Sequence, residues 1–168
     1  MSPGISHTTL IGAAAEHYVM SQLLRRQIIA ALAPAGVPDT DIIISDALGC
    51  TFAGIQVKAR RNIGRDGGWH MHAKHEEIKR PRLFYCFVDF GNDICGLPAC
   101  WIAPSAVVAN VLKVSHKAWL DKPGRGGKSH TDHAMRRLLP NYDHLGLKKY
   151  RKGWLDSYSE NWDQLTKQ

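Results

Sequence analysis

Four side chains in the first third of the chain have the types and spacing that phosphodiester hydrolysis requires. Asp41 directly precedes an apolar run, Gln56 and Lys58 stand two residues apart in the next one, and Glu16 lies upstream. Carboxylate and amide oxygens are suitable ligands for a hard divalent cation such as Mg²⁺. The cation would polarise a phosphoryl oxygen and activate a bound water, and the lysine would orient that water or offset charge in the transition state. These residues therefore indicate a metal-dependent phosphodiesterase site.

A β-hairpin would bring three of these side chains together. Two apolar, β-branched runs flank a turn at residues 46–50, where Gly49 accepts conformations that other residues resist. We predict strands at 41–45 and 51–59. Side chains alternate between the faces of a strand. One face would hold the core residues Thr51, Ala53, Ile55, Val57 and Ala59, and the other Phe52, Gly54, Gln56 and Lys58.

A helix before the hairpin would position the remaining acid. Apolar residues at helical spacing predict a helix from about residue 10 to residue 33, ended by Pro34 and Gly36. Glu16 borders the apolar stripe of this helix. A carboxylate beside a buried face needs a partner, which would be a cation shared with Asp41 or a nearby arginine.

Asp41, the tripeptide Gln56-Val57-Lys58 and Glu16 resemble the active-site pattern of the PD-(D/E)xK nuclease superfamily, and more loosely its Holliday-junction-resolvase-like branch. The resemblance covers roughly the first hundred residues. It implies an α/β fold, with a restriction-endonuclease-like mixed β-sheet flanked by helices and an αβββαβ-type core. It also implies catalysis by Asp41, Gln56, Lys58 and Glu16, with Mg²⁺ or Mn²⁺ held by Asp41, Gln56 and Glu16. The implied partner is duplex or branched DNA, bound by a monomer or a homodimer.

The sequence departs from the superfamily pattern at two places, and each leaves alternatives open. Gln56 stands where the family usually has an acid, so a catalytically weakened nucleic-acid-binding protein of the same fold is the second reading. The literal Pro-Asp pair is Pro38-Asp39, which makes Asp39 an alternative metal ligand to Asp41, and Asp46 is another. A purely structural reading has an Asp at the start of a strand, with Gln56 and Lys58 on a solvated face.

The excess of basic over acidic residues in the chain favours a polyanionic partner. A formal net charge of +7 and an isoelectric point near 9.4 suit nucleic acid before a membrane surface, although a basic protein without such a partner is the simpler alternative. Basic residues in glycine-containing loops would contact phosphates without reading sequence. The predicted nucleic-acid-binding residues are Arg60, Arg61, Arg65, Lys74, Arg125 and Lys128.

Clustered histidines support a third reading, a zinc-binding or structural protein. His70, His72 and His75 form one group, and His130 and His133 form another. Neutral imidazole is a common zinc ligand, but these spacings match no established zinc motif. Proximity to phosphates is the alternative explanation for these side chains.

The rest of the chain predicts further strands at 69–73, 82–90 and 99–103, a short charged helix at 74–80, and a helix from 104 or 105 to about 119. We predict a nuclease-like α/β core at 1–120 and a basic, aromatic-rich extension at 121–168 that packs on it. Trp154, Tyr158 and Trp162 recur four apart, which predicts a C-terminal helix docked on the core by its aromatic stripe.

The four cysteines form no Cys-x-x-Cys pair and are interpreted as reduced. No apolar stretch is long enough for a signal peptide or a membrane span, so we expect a cytoplasmic protein. Preference for DNA over RNA, and the biological pathway, are not encoded in any recognisable motif.

Overall fold

The chain forms a mixed α/β structure around a five-stranded sheet, in a computed structural model that describes residues 7–49, 52–61 and 67–166. The helices and strands, in chain order, are α1 (His7–Arg25), β1 (Ile29–Leu32), β2 (Ile42–Ser45), β3 (Phe52–Arg60), β4 (Trp69–His72), β5 (Leu83–Asp89), β6 (Ala99–Pro104), α2 (Ser105–Asp121) and β7 (Met135–Leu138). The 3₁₀ helices span Ala73–Glu76, Arg125–Gly127, Asp143–Leu145, Lys148–Tyr150, Asp156–Tyr158 and Trp162–Leu165.

The main sheet has the strand order β1-β2-β3-β5-β6. β3 and β5 are parallel, and the other neighbours are antiparallel. A parallel pair needs a crossover connection, and the segment between β3 and β5 contains β4 and the 3₁₀ helix Ala73–Glu76. β4 pairs with β7 in a separate two-stranded sheet. The predicted hairpin is confirmed as β2 and β3, with Ile42 opposite Ile55.

The main sheet is covered by apolar residues on both faces, as predicted for a mixed sheet flanked by helices. On one face, α1 packs its buried residues against β2, β3 and the alternate residues of β5; this core includes Ala15, Val19, Leu23, Ile42, Ile55, Val57, Cys86 and Val88. On the other face, α2 and β4 contribute to a core that includes Trp69, Tyr85, Phe87, Val108, Val111, Leu112 and Leu138. Because successive side chains of a strand point to opposite faces, β5 contributes to both cores.

The predicted helix over 10–33 is wrong in its last third. α1 ends at Arg25, and Gln27 adopts a left-handed conformation with φ of 60°. The backbone N–H groups of Arg26 and Ile28 both donate to the Leu23 carbonyl, and the chain then pairs with β2 as the edge strand β1. Short apolar runs fit a helix or a strand equally well, so periodicity could not separate these possibilities.

Two smaller helix predictions are also corrected. The charged segment predicted as a helix at 74–80 contains only the 3₁₀ helix Ala73–Glu76. The aromatic C-terminal segment forms short 3₁₀ helices, and the described residues after α2 contain no α-helix. Trp162 lies in the core beside α1, while Trp154 and Tyr158 pack against the core beside α2. The division at residue 120 stays a prediction.

No helix within the described ranges combines the length and apolarity needed to cross a membrane.

Candidate active site

Asp41 is fixed at the start of β2 by two hydrogen bonds to β3. Its backbone N–H donates to the Ile55 carbonyl at 2.9 Å, and its Oδ2 accepts the backbone N–H of Val57 at 2.7 Å. A carboxylate that accepts a short backbone hydrogen bond is held in one orientation. Asp41 is therefore anchored beside Gln56, which lies between these two β3 residues.

Gln56 has a buried oxygen that no hydrogen bond satisfies. The residue is 8% exposed, and its Oε1 has no hydrogen-bond partner among the described residues. Leaving a buried acceptor without a partner costs roughly 1–3 kcal/mol. A hard cation would satisfy this oxygen, so the residue fits the metal-ligand role that its position in the sequence suggests.

Lys58 lies two residues further along the same face of β3 and is half-buried. Burial lowers the pKa of Lys58, and the charge of Lys74 lowers it further, while Asp41 and Asp39 act in the opposite direction. The charged groups that influence the Lys58 ammonium group are therefore both acidic and basic. Lys58 therefore lies within electrostatic reach of Asp41.

Glu16 approaches the site from α1, on the other side of β3. Partial burial raises the pKa of Glu16, and the negative charge of Asp41 raises it further. Gln56 and Lys58 share a face with Tyr85 and Phe87, opposite the face that α1 covers. The charge of Asp41 reaches Glu16, and its carboxylate bonds the backbone of Val57, the residue after Gln56. Carboxylate and amide oxygens are the ligand types that suit Mg²⁺ or Mn²⁺, and a shared site for these three residues stays a prediction.

The geometry separates the alternative acids from Asp41. The Asp39 carboxylate is already paired, with Lys74 Nζ at 2.6 Å and an Arg80 guanidinium nitrogen at 3.6 Å. Burial raises the pKa of Asp39, but Lys74 and Arg80 lower it by more. Asp46 lies at the opposite end of β2, where its Oδ1 accepts the Leu48 N–H at 3.0 Å. Contacts therefore favour Asp41 as the ligand, and that role stays a prediction.

His75 and Tyr85 belong to the site region, and the sequence did not indicate their role there. Nδ1 of His75 accepts the His72 N–H at 2.9 Å, so the proton of the neutral ring is on Nε2. Burial lowers the pKa of His75 to about 4, with further lowering by Lys58 and Lys74. Its ring meets Tyr85 edge-on at a centroid distance of 5.8 Å. The buried His75 Nε2 and Tyr85 Oη have no hydrogen-bond partner in the part of the chain that the structure describes.

Tyr85 was hidden in an apolar run, and only its register shows its position. It pairs with Gln56 across the parallel strands, so the two side chains share a face. Burial raises the pKa of Tyr85, so its hydroxyl stays protonated and can donate a hydrogen bond.

The predicted phosphate-contacting residues have different surroundings. Arg60 donates twice to Asp89, at 2.9 and 2.7 Å, and stacks over Trp69 at 3.8 Å, which gives it a packing role. Lys74 is half-exposed and pairs with Asp39. Arg61 is half-buried and Lys128 is exposed. Arg125 begins the 3₁₀ helix Arg125–Gly127, and Arg65 lies outside the described residues.

The zinc hypothesis is not supported by the arrangement of the histidines. Within residues 7–49, 52–61 and 67–166, no group of three or more His, Cys, Asp or Glu side chains is placed to hold a metal ion. Nδ1 of His72 and of His75 each accept a backbone N–H, and His130 stacks on Trp119 at 3.9 Å. The candidate cation site has two acids and an amide, so it falls outside that type of cluster.

The five-stranded mixed sheet with flanking helices belongs to the restriction-endonuclease-like class of α/β folds, as the resemblance implied. In this chain an acid directly precedes β2, and an amide and a lysine lie on β3. In particular, the chain is similar in structure to a bacterial homing endonuclease, I-Ssp6803I, with a TM-score of 0.54 and 14% sequence identity over 96% of this chain and 92% of that one. It also aligns with Hjc, a Holliday junction resolvase from the archaeal hyperthermophile Archaeoglobus fulgidus, with a TM-score of 0.43 and 15% identity over 76% and 83% of the two chains. No protein-family model and no curated protein matches the sequence. At 14% identity, the likeness to I-Ssp6803I shows a shared fold.

Proposed function

We propose that this protein is a divalent-metal-dependent endonuclease that hydrolyses phosphodiester bonds in DNA. The main support is the buried Gln56 Oε1, which has no hydrogen-bond partner among the described residues and belongs to the residue between Ile55 and Val57, the two that bond Asp41. A buried acceptor without a partner is unfavourable in a purely structural strand. The same oxygen becomes favourable when a hard cation binds to it.

Asp41, Gln56 and Glu16 would hold Mg²⁺ or Mn²⁺. The bound cation would supply Lewis-acid polarisation of the phosphate and a water of lowered pKa. The Val57 N–H keeps the Asp41 carboxylate in position before the cation arrives. The charge of Asp41 disfavours ionisation of Glu16, and a cation between them would remove that repulsion.

Lys58 would orient the attacking water and offset the charge that develops on the phosphate. Its half-buried position makes each electrostatic contact stronger than it would be in bulk water. Because burial lowers the pKa of Lys58, its amine releases a proton more readily than an exposed lysine. Lys58 can therefore position a water and exchange a proton with it.

DNA is the proposed substrate because a net charge of +7 favours a polyanion and because the fold is that of a homing endonuclease. The duplex, branched or distorted form of that DNA, and action as a homodimer, belong to the same proposal. Cys86 and Cys100 are buried and free, with sulfur atoms 4.0 Å apart, which suits a reducing compartment such as the cytoplasm.

Cleavage of supercoiled plasmid and of a branched DNA junction tests this proposal. With Mg²⁺ or Mn²⁺ we expect cutting that Asp41→Asn and Lys58→Ala each reduce by about 10²- to 10³-fold. Asparagine keeps an oxygen that can accept the Val57 N–H, so loss of activity in that variant reports lost charge and not lost folding. Asp163→Asn and Lys117→Ala, at exposed positions, are the matched controls.

Cutting without a divalent cation, or cutting that both site variants retain, would overturn the proposal. Salt-sensitive DNA binding without any cleavage would instead favour the catalytically weakened binding protein, in which Gln56 replaces a required acid. Purified protein with neither activity would remove the nucleic-acid interpretation of the positive charge.

A further inference from the structure

A cavity whose lining includes none of the candidate active-site residues lies between α2, β7 and the 3₁₀ helix Asp143–Leu145. It has a volume of about 260 Å³, and we call it the α2–β7 pocket. Its walls include His116, Trp119, His133, Met135, Arg137 and Tyr142. Tyr142 is buried, whereas His133 and Met135 are exposed. The pocket therefore has an aromatic floor and an accessible mouth.

Flat rings dominate one side of this pocket. His116 is nearly parallel to Trp119, with an interplanar angle of 25° and a centroid distance of 5.5 Å. His133 is tilted toward the same indole at 5.7 Å, and His130 stacks on it at 3.9 Å. Aromatic surfaces of this kind favour planar guests, which lose little conformational entropy when they bind.

Polar groups around the rings are held in defined orientations. His116 Nε2 lies 2.7 Å from Asp132 Oδ1. His133 Nδ1 accepts the Met135 N–H at 3.2 Å, so in the neutral ring the proton is on Nε2. Oriented ring nitrogens can recognise the hydrogen-bonding edge of a guest.

Charged groups of both signs border the pocket, since the exposed Asp132 pairs with the lining residues His116 and Arg136. Arg137 lines the pocket, and Lys122 Nζ donates to the carbonyl of His144, another lining residue. Arg136 is buried beside the pocket and pairs with Glu76. A planar guest with a negative charge would meet the guanidinium of Arg137 at this wall.

The pocket is connected to the candidate active site through consecutive residues. Glu76, which pairs with Arg136, directly follows His75 in the 3₁₀ helix Ala73–Glu76. The charge of Lys58 lowers the pKa of His75, so His75 lies within electrostatic reach of the candidate catalytic lysine. The Arg136–Glu76 ion pair and the 3₁₀ helix Ala73–Glu76 therefore join the wall of the pocket to the region of Lys58.

We propose that the α2–β7 pocket binds a single nucleotide, with its base against the rings of Trp119 and His133 and its phosphate near Arg137. This inference rests on the proposed nuclease function, since the nucleotide would be an unpaired residue of the DNA bound at the active site. A free nucleotide has the same chemistry and is the other source of this ligand. Base stacking on aromatic side chains tolerates any base, so the pocket would recognise an unpaired position more than a sequence.

Fluorescence of 2-aminopurine tests the pocket without cleavage, in buffer containing EDTA. The probes are a duplex with one unpaired 2-aminopurine nucleotide, the same duplex fully paired, and the free 2-aminopurine deoxynucleoside monophosphate. We expect the wild type to protect the unpaired base from acrylamide quenching. Met135→Trp, which fills the mouth at a residue 49% exposed, should weaken this binding about tenfold. His133→Ala should act in the same direction without adding an indole.

Leu97→Trp is the matched control, because Leu97 is 96% exposed and is not a lining residue. Protection of the unpaired base in DNA supports a strand-borne ligand, and protection of the free nucleotide alone supports the same pocket with a free ligand. No protection, or equal weakening by Met135→Trp and Leu97→Trp, would overturn the inference. Plasmid cleavage without protection would reject the pocket and leave the nuclease proposal standing, and protection without cleavage would do the reverse.

Discussion

The two faces of β3 differ in how completely their buried groups are satisfied. The face toward α1 carries Ala53, Ile55 and Val57, which are apolar and packed in a continuous core. The opposite face carries Gln56 and Lys58 beside Tyr85 and His75. The side chains of the first face are apolar, so their removal from water stabilises the fold without any hydrogen bond. The second face contains buried polar groups whose hydrogen-bonding capacity the described protein atoms do not fill.

Along β3, residues that stabilise the fold therefore alternate with residues that we propose for function. Each buried polar atom without a partner costs free energy of folding, and such atoms are uncommon in native structures. Gln56 Oε1, His75 Nε2 and Tyr85 Oη have no hydrogen-bond partner among the described residues, and all three belong to the side of the sheet that carries Lys58. Their retention is explained if a cation, water or phosphate completes them. Substitutions on the two faces should therefore have different consequences.

The largest expected effect is on the apolar face. Ile55→Ala removes a fully buried side chain and should lower the free energy of unfolding by about 2–5 kcal/mol, because the cavity left behind is only partly refilled. Urea unfolding in EDTA would measure it. Ile43→Ala, on the exposed side of β2, should cost less than about 1 kcal/mol. Equal losses at both positions would show that the α1 face does not carry the stability assigned to it.

The next effect concerns the buried polar face and depends on pH. The pKa of His75 is about 4 in the folded protein, below the ordinary value of 6.5, chiefly because of burial and then because of Lys58 and Lys74, with Asp39 opposing. Between those pH values the unfolded chain binds a proton that the folded protein does not. The free energy of unfolding should therefore fall as the pH drops from about 6.5 to about 4, by up to about 3 kcal/mol in total.

His75→Gln should remove this pH dependence, since glutamine does not titrate and its side-chain oxygen can still accept the His72 N–H. His70→Ala, at an exposed histidine, should preserve it. Urea unfolding at several pH values would compare the slopes. A wild-type stability that is flat between pH 6.5 and pH 4 would mean that His75 is accessible to protons in the folded protein.

The sequence could predict the division of β3 because it follows from local alternation. A strand has a period of two, so one buried face specifies which residues lie on the other. Gln56 and Lys58 were therefore placed together before any tertiary contact was considered. Asp41 was predicted as the ligand because it directly precedes the apolar run that pairs with β3, and that role stays a prediction.

Contacts between distant residues could not be predicted in this way. Arg60 was expected to contact phosphate, but it pairs with Asp89, 29 residues away, and stacks on Trp69. β1 was assigned to a helix because four apolar residues carry no periodicity of their own. The C-terminal aromatic spacing fitted a helix, but left-handed conformations at Gly153 and Glu160 interrupt any such helix.

The smallest expected change in the free energy of unfolding comes from replacing Gln56, and it tests the difference between the two faces of β3 most specifically. Gln56→Leu keeps the bulk of the side chain and removes the buried oxygen, so in EDTA it should raise the free energy of unfolding by about 1 kcal/mol. It should also abolish the stabilisation that excess Mg²⁺ or Mn²⁺ gives to the wild type. Urea unfolding with and without the cation would measure both effects.

Gln56→Glu is the informative opposite. A buried carboxylate at position 56, next in sequence to the Asp41-bonded Val57, should destabilise the protein in EDTA through desolvation and repulsion from Asp41, and should strengthen its stabilisation by the cation. In EDTA, Gln56→Leu should therefore raise the free energy of unfolding and Gln56→Glu should lower it. The stabilisation by Mg²⁺ or Mn²⁺ should be lost in Gln56→Leu and increased in Gln56→Glu. If Gln56→Leu instead destabilised the protein in EDTA, the oxygen would have a partner in the folded state. The polar face of β3 would then be part of the packed core, as the α1 face is.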